Sequence, residues 1–409
     1  MHLTHLSLTN FRNFARLDVE VPRQPVMLVG GNAQGKTSLL ESVYYLATLT
    51  SFNAEHDRQL INFLVANENP AVGRIVAVYE RGGKSHRLEV RIILESNGFN
   101  GSPRLRKEAL LDGVKLKLSE AVGKFNAVLF LPQMLTVIEG APEERRRYLN
   151  LALGQVLPRY PESLSNYNQA LAQRNALLKL LGEEGGDTEQ LAFWDEQIAT
   201  NGAHLVYARI RALQELETLA ARIHHELTRG GEVLRLSYQP AYDPLPPPPG
   251  QLTLLLKSPV YRSNLTLEQI KQGFRESLLA LRKEEIYRGV TTIGPHRDEF
   301  RFLESGIDLG TYGSRGQVRT AMMALKLAEV IWMEQKTGES PVLLLDEVLA
   351  ELDALRRADL LTRLEVGGQT LLTTTDLDLF SAEFVRKAAV WRIQAGRLEM
   401  ETGDAIRRH

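Results

Sequence analysis

Gly30-Gly31-Asn32-Ala33-Gln34-Gly35-Lys36-Thr37 fits the pattern G-x-x-x-x-G-K-[ST] and decides the fold class of this 409-residue chain. The apolar residues 26–29 before it predict a buried parallel strand, and residues 37–42 predict the beginning of a helix. The glycines let backbone N–H groups turn toward phosphates at the positive end of that helix. We therefore predict an ATP site in which Lys36 reaches the β- and γ-phosphates and the Thr37 hydroxyl binds Mg²⁺.

The second half of such a site lies far along the chain. Leu343-Leu344-Leu345-Asp346-Glu347 begins roughly 300 residues after the loop and predicts an apolar strand that ends in two carboxylates. We predict that Asp346 binds Mg²⁺ and that Glu347 orients or deprotonates the attacking water. The alternative is a pair of acidic residues that cap a strand end, and the phosphate loop in the same chain argues against it. The separation indicates a large insertion between two halves of one ATP site.

The composition is that of an ordinary globular protein, with 44% hydrophobic and 24% charged residues. The formal net charge of −1 excludes a generally basic surface, so any DNA contact must come from a local patch. The absence of cysteine excludes disulfides, thiolate zinc sites and cysteine nucleophiles. Because the sequence shows neither a signal peptide nor an apolar run of about 18 residues, we predict a cytoplasmic protein without a membrane partner.

The hydrophobic period changes near residue 140. Alternating residues before it predict the strand-rich N-terminal part of an ATPase head (1–140), and helical spacing after it predicts a helical arm with a proline-rich linker (141–250). The remaining residues, 251–409, are predicted to form one more helix at 267–286 and then to return to the head. The polar turn 182–187 predicts that two helical stretches pack as an antiparallel hairpin.

Two features of the arm have more than one interpretation. The longer helix, predicted from about 191 to 227, would extend roughly 55 Å, and its apolar stripe is typical of mutual helix packing or of a partner site. The proline-rich residues 244–250 predict an extended spacer, with a recognition motif for an aromatic groove as the alternative.

Tyr312-Gly313-Ser314-Arg315-Gly316-Gln317 precedes a predicted helix over 318–329. Taken alone, this segment predicts an N-cap and a turn. About thirty residues before the second carboxylate motif, however, ATPases of the ABC class have their signature, S-G-G-Q, which this segment fits with one substitution. In that interpretation Ser314, Gly316 and the positive helix end contact the γ-phosphate of ATP bound to a second molecule, and Gln317 completes the nucleotide contact.

Several further stretches carry a family resemblance. They are the phosphate loop and residues 10–14, 130–133, 140–149, 294–298, 313–317, 345–353 and 373–376. In this order, which spans nearly the whole chain, they resemble the RecF family of bacterial DNA replication and repair proteins, within the wider SMC-like heads. Gly294-Pro295-His296-Arg297-Asp298 and the run Glu144-Arg145-Arg146-Arg147 are the most specific. The resemblance implies an α/β fold: an ABC-type, SMC-like P-loop ATPase head with an inserted helical arm.

The resemblance also implies roles for single residues. Gln133 corresponds to the Q-loop residue that senses Mg²⁺ and the γ-phosphate, Asp353 to the D-loop aspartate that reaches across a dimer, and Arg12 to an arginine near the nucleotide. Thr375 stands where ABC ATPases usually have a switch histidine, which implies slow hydrolysis. Arg315 replaces a signature glycine, so the trans contact departs from the family pattern there.

The function implied by the resemblance is recombinational DNA repair and replication restart. ATP binding is expected to drive dimerisation on gapped or junction DNA, slow DNA-stimulated hydrolysis to reset it, and the dimer to help load the RecA recombinase with a RecR-type mediator. Another SMC-like or ABC-type ATPase, such as a transport subunit or a structural chromosome-maintenance head, is the alternative. The transport subunit is disfavoured by the arm between Gly35 and Ser314, and the structural head by the lack of long heptad stretches.

Two basic segments have open interpretations. His296 and Arg297 suit either an acid and a phosphate clamp or a structural turn, which Gly294-Pro295 already requires. The arginines 145–147 suit either contacts with DNA phosphates or, the favoured interpretation, a solvated helix face.

Overall fold

A computed structural model describes residues 1–95, 104–245, 262, 264–352, 354–366 and 368–400. Contacts divide the chain into two units, one formed by Met1–Gln133 with Met333–His409 and the other by Met134–Trp332. Both chain ends therefore contribute to the first unit, as expected if a long segment is inserted between two halves. The division into three parts, residues 1–140, 141–250 and 251–409, stays a prediction.

The described ranges contain two kinds of regular element. The strands are β1 (His2–Phe11), β2 (Phe14–Glu20), β3 (Val26–Val29), β4 (Ala71–Arg81), β5 (Lys84–Glu95), β6 (Arg104–Leu111), β7 (Val114–Leu116), β8 (Ala127–Phe130), β9 (Leu234–Gln239), β10 (Glu299–Glu304), β11 (Ile307–Asp308), β12 (Val342–Asp346), β13 (Thr370–Thr374), β14 (Ala389–Gln394) and β15 (Arg397–Met400). The helices are α1 (Lys36–Thr48), α2 (Leu118–Ala121), α3 (Thr136–Glu139), α4 (Pro142–Val156), α5 (Tyr160–Glu184), α6 (Leu191–Leu227), α7 (Leu267–Arg288), α8 (Leu309–Tyr312), α9 (Arg315–Thr337), α10 (Ala354–Val366) and α11 (Ala382–Lys387).

A mostly parallel sheet forms the centre of the first unit, with the strand order β15-β14-β3-β13-β12-β8. Its strands β3, β8 and β13 are buried along their whole length, and β3 and β8 are continuously apolar, as expected of strands covered on both faces. β13 lies between β3 and β12 and is parallel to both, so the carboxyl ends of β3 and β12 lie at one edge of the sheet. The strands predicted before the phosphate loop and before the two carboxylates are confirmed as β3 and β12. The phosphate loop and Asp346 both lie at this edge of the sheet.

A second sheet of the first unit is antiparallel, with the order β2-β1-β4-β5-β6-β7. β4 and β5 are joined by a short turn at Gly82-Gly83, where both glycines have positive φ angles of 58° and 72°. β2 shows the alternating burial expected of a sheet that packs on one face. The predicted strand-rich character of the N-terminal segment is confirmed.

The second unit contains the predicted helical hairpin. α5 and α6 run antiparallel, because residue pairs in contact step in opposite directions along the two helices: Arg174 with Asp195, Tyr167 with Gly202, and Tyr160 with Arg209. Leu178, Leu181 and Leu191 form a small core at the connection between them. The apolar stripe of α6 is buried in this unit, so the interpretation as mutual packing is confirmed.

Some predicted boundaries differ from the structure. α9 spans Arg315–Thr337 and is therefore longer at both ends than predicted, since Ser314 caps it directly and apolar residues continue to Met333. The predicted proline-rich linker falls largely on residues 246–250, which lie outside the described ranges. No helix in the described ranges combines the length and apolarity needed to cross a bilayer.

Candidate nucleotide site

The phosphate loop is held around the side chain of Lys36. Lys36 begins α1 and is 5% exposed, and its Nζ donates hydrogen bonds to the carbonyl oxygens of Gly30 at 2.7 Å and Gly31 at 3.0 Å. Gly35 precedes the helix with a φ of 118°, a conformation that favours glycine. The loop therefore presents a buried ammonium and the free N–H groups of a helix N-terminus at one place, which suits a polyphosphate.

Asp346 and Thr37 meet although 309 residues separate them. The Thr37 hydroxyl is 3.0 Å from Oδ1 and 2.9 Å from Oδ2 of Asp346. Thr373, at the end of β13, donates its hydroxyl proton to Asp346 Oδ1 at 2.8 Å. Burial raises the pKa of the Asp346 carboxyl, and the hydrogen bonds from Thr373 and Thr37 oppose that shift. A hydroxyl and a carboxylate oxygen are the hard ligands that Mg²⁺ prefers, so these residues fit the predicted metal.

Glu347 lies beside this pair in an unusual backbone conformation. Its φ is 54°, and its N–H donates to Thr373 Oγ1 at 2.9 Å. The left-handed region costs a non-glycine residue free energy, and such residues concentrate at functional sites. The Glu347 carboxylate is 44% exposed, and its Oε1 is 3.3 Å from Lys36 Nζ. The sharp turn after β12 thus directs one carboxylate toward Thr37 and the next toward Lys36.

These groups line one cavity of about 630 Å³ in the first unit. Its lining includes Arg12, Asn13, Asn32, Ala33, Gln34, Gly35, Lys36, Thr37, Ser38, Asn53, Gln59, Ile61, Phe63, Gln133, Asp346 and Glu347. The structure therefore brings together the residues of the phosphate loop, both carboxylates, Gln133 and Arg12. Their individual roles in binding and catalysis stay predictions.

Arg12 lines the cavity with its guanidinium already engaged. Its Nε and Nη2 donate to the two carboxylate oxygens of Glu41 at 2.7 and 2.8 Å, and its Nη1 donates to the carbonyl of Gln59 at 3.2 Å. Glu41 lies on α1, is fully buried and also accepts from Ser51. This bidentate pair fixes the guanidinium relative to the helix that begins at the phosphate loop. Sequence reasoning did not find Glu41, since a glutamate inside a helix gives no local signal.

The C-terminal hairpin supports the phosphate loop from one side. The N–H of Ala395 donates to Gln34 Oε1 at 2.7 Å, and the N–H of Gly396 donates to the Gln34 carbonyl at 3.0 Å. Asn13 donates its Nδ2 proton to the same carbonyl at 2.9 Å. Gln34, predicted as one of the nucleotide-binding residues of the loop, therefore also attaches the loop to β1–β2 and β14–β15. No spacing in the sequence predicts these partners.

The signature segment belongs to the second unit, where Ser314 caps α9. The Ser314 Oγ accepts from the N–H of Gln317 at 3.3 Å, and Gln317 Oε1 accepts from the N–H of Ser314 at 2.9 Å. This reciprocal pair is a capping box, so the N-cap interpretation is confirmed. Gln317 also donates to Glu304 Oε2 at 2.5 Å. Ser314 and Gly316 are exposed, and their contact with a γ-phosphate stays a prediction.

Asp353 and Thr375 are the remaining residues with a role predicted from the sequence. Asp353 lies outside the described residues. Thr375 is exposed directly after β13. Its predicted place in a switch position stays a prediction.

The prediction of a solvated helix face for the arginines 145–147 is wrong for Arg145 and Arg146. Arg145 is buried and donates to both carboxylate oxygens of Glu299 at 2.5 and 2.8 Å. Arg146 donates to the carbonyl of Asp298 at 3.0 Å, while Arg147 is exposed. The first two arginines therefore hold the segment that contains Gly294-Pro295-His296-Arg297-Asp298.

That segment is a structural turn. Burial lowers the pKa of His296 to about 4, and its Nδ1 lies 2.6 Å from the Tyr167 hydroxyl. Asp298 accepts from the buried Arg209 at 2.8 Å and from the Tyr238 hydroxyl at 2.5 Å. A histidine with this pKa is uncharged at neutral pH and lacks the second ring proton that a general acid donates, which argues against the acid interpretation of His296.

The chain is similar along almost its whole length to proteins named DNA replication and repair protein RecF. The family model described as RecF/RecN/SMC N terminal domain matches residues 2–391. The RecF protein of Chloroflexus aurantiacus is 38% identical over 414 residues, which cover 97% of this chain and 99% of the relative. That of Roseiflexus castenholzii is 37% identical over 408 residues, with the same coverage.

Solved structures agree with the sequence relatives. The structures of the recombination mediator protein RecF-ATPrS and RecF-ATP in the RecFOR pathway match with TM-scores of 0.83 and 0.80. Both are 28% identical and cover 98% of this chain, and the match covers 98% and 99% of theirs. An SmcHead bound to the C-winged helix domain of ScpA has a TM-score of 0.51 at 14% identity, a likeness of fold alone.

Proposed function

Because this chain belongs to the RecF family, within the RecF/RecN/SMC group, we propose that it is an ATP-dependent DNA-binding protein of recombinational DNA repair and replication restart. Its fold is the expected one, an ABC-type, SMC-like P-loop ATPase head with an inserted helical segment. The relatives are named for DNA replication and repair, and two solved relatives are RecF-ATPrS and RecF-ATP.

The observation that carries the proposal is the pairing of Thr37 with Asp346. Two half-motifs separated by 309 residues place a hydroxyl and a carboxylate within 3.0 Å, in a cavity that also contains Lys36 and Glu347. A structural role alone does not require a buried lysine, a helix N-terminus and two carboxylates at one sheet edge. Phosphoryl transfer in P-loop ATPases uses each of them.

The reaction we propose is hydrolysis of ATP to ADP and phosphate. The phosphate loop and Lys36 hold the β- and γ-phosphates, with Gly30 to Gly35 supplying backbone N–H groups. Thr37, Asp346 and Gln133 would hold Mg²⁺, which supplies charge neutralisation between the β- and γ-phosphates. Glu347 accepts a proton from the attacking water or orients it, and the exposed position of its carboxylate leaves room for that water.

Hydrolysis is proposed to act as a slow timer, stimulated by DNA. Thr375 offers a hydroxyl where related ATPases have a histidine, so the γ-phosphate loses one charged contact. A long-lived ATP state then lets binding, more than turnover, determine how long the protein remains on DNA.

ATP is proposed to join two copies of the chain. Ser314, Gly316 and Gln317 of one copy contact the γ-phosphate held by Lys36 of the other, and Asp353 reaches across the same interface. The exposed start of α9 supports this arrangement, because a helix N-terminus attracts an anion and the Ser314 hydroxyl is at the surface. Two-fold symmetry then buries two ATP molecules in one isologous interface.

DNA is the proposed partner of that dimer. A chain with a net charge of −1 offers only a local basic patch, so one copy binds weakly and two copies bind as a bivalent surface. Gapped DNA and junctions between single strand and duplex are the proposed substrates, with a RecR-type mediator and the RecA recombinase as partners. We propose that the protein acts in the cytoplasm, where bacterial DNA lies.

The test is DNA binding measured by fluorescence anisotropy with ATP, ADP and no nucleotide. Single-stranded, duplex and gapped oligonucleotides of equal length are compared at two salt concentrations. We expect ATP to raise affinity at least tenfold, most on gapped DNA, and a steeper loss of affinity with salt in the ATP state because two patches then contact phosphates. Equal affinity with and without ATP would contradict the proposal.

A further inference from the structure

A group of metal-ligand side chains lies within the second unit, formed by His224, Glu232 and Glu304. His224 is in the last turn of α6, Glu232 is in the loop before β9, and Glu304 ends β10. One ligand atom from each residue lies within 4.8 Å of the others. The side chains of His224 and Glu304 are 0% and 2% exposed, and Glu232 is half-buried. Three different elements therefore converge on one enclosed point.

Three buried polar atoms of this cluster make no hydrogen bond of ordinary geometry with the described residues. Neither ring nitrogen of His224 makes a hydrogen bond, and neither does Oε1 of Glu304. Nε2 of His224 nevertheless lies 2.9 Å from that oxygen, so the two atoms are close but not aligned for a hydrogen bond. Burying polar atoms without a partner is costly, which makes such a group rare unless another species binds there. An imidazole and two carboxylates whose ligand atoms lie within 4.8 Å of one another are close enough to bind one ion.

Gln317 fixes the orientation of the Glu304 carboxylate. Its Nε2 donates to Oε2 of Glu304 at 2.5 Å, which leaves Oε1 directed toward His224. Residues that hydrogen-bond a ligand in this way commonly set its orientation and raise metal affinity. Gln317 is also half of the capping box with Ser314, so the cluster is connected to the beginning of α9.

The charges of the cluster favour a cation. The cluster holds two glutamates and one histidine with ligand atoms within 4.8 Å of one another, and an uncompensated carboxylate charge is costly in such a buried place. A divalent cation would compensate two carboxylates at once, and a neutral imidazole is the form of histidine that binds metals.

We propose that His224, Glu232 and Glu304 form a binding site for a divalent transition-metal cation of the Zn²⁺ type. Imidazole nitrogen and carboxylate oxygen are common Zn²⁺ ligands at about 2.0 to 2.2 Å, which in tetrahedral geometry places ligand atoms roughly 3.4 Å apart. Three protein ligands leave the fourth position for water. The site joins α6 to the sheet of β9 and β10, and it does not depend on the ATP and DNA functions proposed above.

The test uses the untagged full chain, freed of metal with a chelator and dialysed. Zn²⁺ is titrated by isothermal calorimetry without nucleotide, and bound zinc is counted by mass spectrometry after gel filtration. We expect one Zn²⁺ per chain and a rise in melting temperature when Zn²⁺ is added. Cobalt provides a second readout: the Co²⁺ form should absorb in the visible range as a nitrogen- and oxygen-ligated site, without thiolate bands because the chain has no cysteine.

Variants separate this site from other possibilities. His224→Gln and Glu304→Gln should each weaken Zn²⁺ binding at least 100-fold, and Gln317→Leu roughly 10- to 100-fold. His225→Gln, which changes the exposed neighbouring histidine, and Asp346→Asn, which changes the predicted Mg²⁺ ligand, should bind Zn²⁺ like the unchanged chain. If a ligand variant fails to fold, the Co²⁺ spectrum of the unchanged chain still decides. Less than one zinc per chain, or equal affinity in Glu304→Gln, would overturn the proposal in favour of a proton shared by buried carboxylates.

Discussion

Lys36 and Glu347 have different predicted roles in the cavity: Lys36 binds phosphates, and Glu347 acts in hydrolysis. Lys36 Nζ is buried against two loop carbonyls, where its charge is fixed, whereas the Glu347 carboxylate 3.3 Å away is the exposed partner. A charge held by the loop before ATP arrives costs little reorganisation when phosphates bind. The removal of each side chain should therefore affect a different step.

We expect Lys36→Ala to lose ATP affinity by about 10- to 100-fold, because charge-assisted hydrogen bonds to the phosphates disappear. Glu347→Gln should keep ATP affinity near that of the unchanged chain and slow hydrolysis by about 10²- to 10⁴-fold, the range for a lost general base. Calorimetry with a non-hydrolysable analogue measures the first quantity, and phosphate release measures the second.

Glu183→Gln is the matched control, since it makes the same chemical change at a carboxylate 63% exposed on the helical hairpin. It should leave both quantities unchanged. If Glu347→Gln hydrolyses ATP as fast as this control, Glu347 is not the residue that activates water.

The side chains of the site were predictable from sequence only where a motif fixes their spacing. Lys36, Thr37, Asp346 and Glu347 meet as expected because the two strands that carry them belong to one parallel sheet. Glu41 was missed because a glutamate inside a helix has no distinctive pattern, and Thr373 lies in the family-like stretch 373–376 but was given no role there. The cluster of His224 with its two glutamates was missed for a related reason: its members come from a helix, a loop and a strand without a characteristic interval.

At the scale of elements, the phosphate loop depends on its contact with β14. A Cβ atom on Gly30 would lie closer than 3.0 Å to the carbonyl oxygen of Ile393, a backbone atom that cannot move without shifting the strand. The nearest atom to a Cβ on Gly31 would be Gln34 Cγ at 3.9 Å, an ordinary contact. The structure therefore leaves no room for a side chain at Gly30, whereas it leaves room for one at the adjacent Gly31.

Gly30→Ala should be destabilising, and Gly31→Ala should not. Overpacking against a backbone costs typically 1 to 3 kcal/mol, so we expect the melting temperature of Gly30→Ala to fall by roughly 2 to 10 °C without nucleotide. Gly31→Ala should remain within about 0.5 kcal/mol of the unchanged chain. Thermal denaturation followed by circular dichroism measures both variants, and equal melting temperatures would show that β14 yields to the added methyl group.

Helical elements were more predictable than connections. The period of apolar residues located α6 at 191–227 because a long amphipathic helix repeats its signal many times. The hydrogen bonds between Gln34 and the β14–β15 turn were not predictable from sequence. They are made by backbone groups of a turn that lies 361 residues away along the chain. Local sequence patterns predict that a helix or strand forms. Which segments then contact each other depends on the tertiary structure.

At the scale of the whole molecule, one chain has a complete phosphate loop and a separate signature segment in another unit. The long insertion explains why the two halves of the cavity are 309 residues apart and why both chain ends belong to one unit. In the function proposed above, a protein with a net charge of −1 would gain DNA affinity mainly by combining two weak basic patches. Dimerisation is therefore the step through which ATP would control DNA binding.

Ser314→Arg should separate ATP binding from dimerisation. The substitution places a long side chain where the hydroxyl of Ser314 is proposed to approach the γ-phosphate of a second copy, and it leaves the phosphate loop of its own chain unchanged. Losing the capping oxygen costs about 1 kcal/mol, too little to unfold the chain. We expect this variant to bind ATP as a monomer, to hydrolyse it poorly and to gain no DNA affinity with ATP. Light scattering with ATP measures the mass, with Ser165→Arg on the exposed face of α5 as the control that should dimerise normally. A Ser314→Arg variant that dimerises like this control would contradict the trans contact and leave the ATP site of the single chain intact.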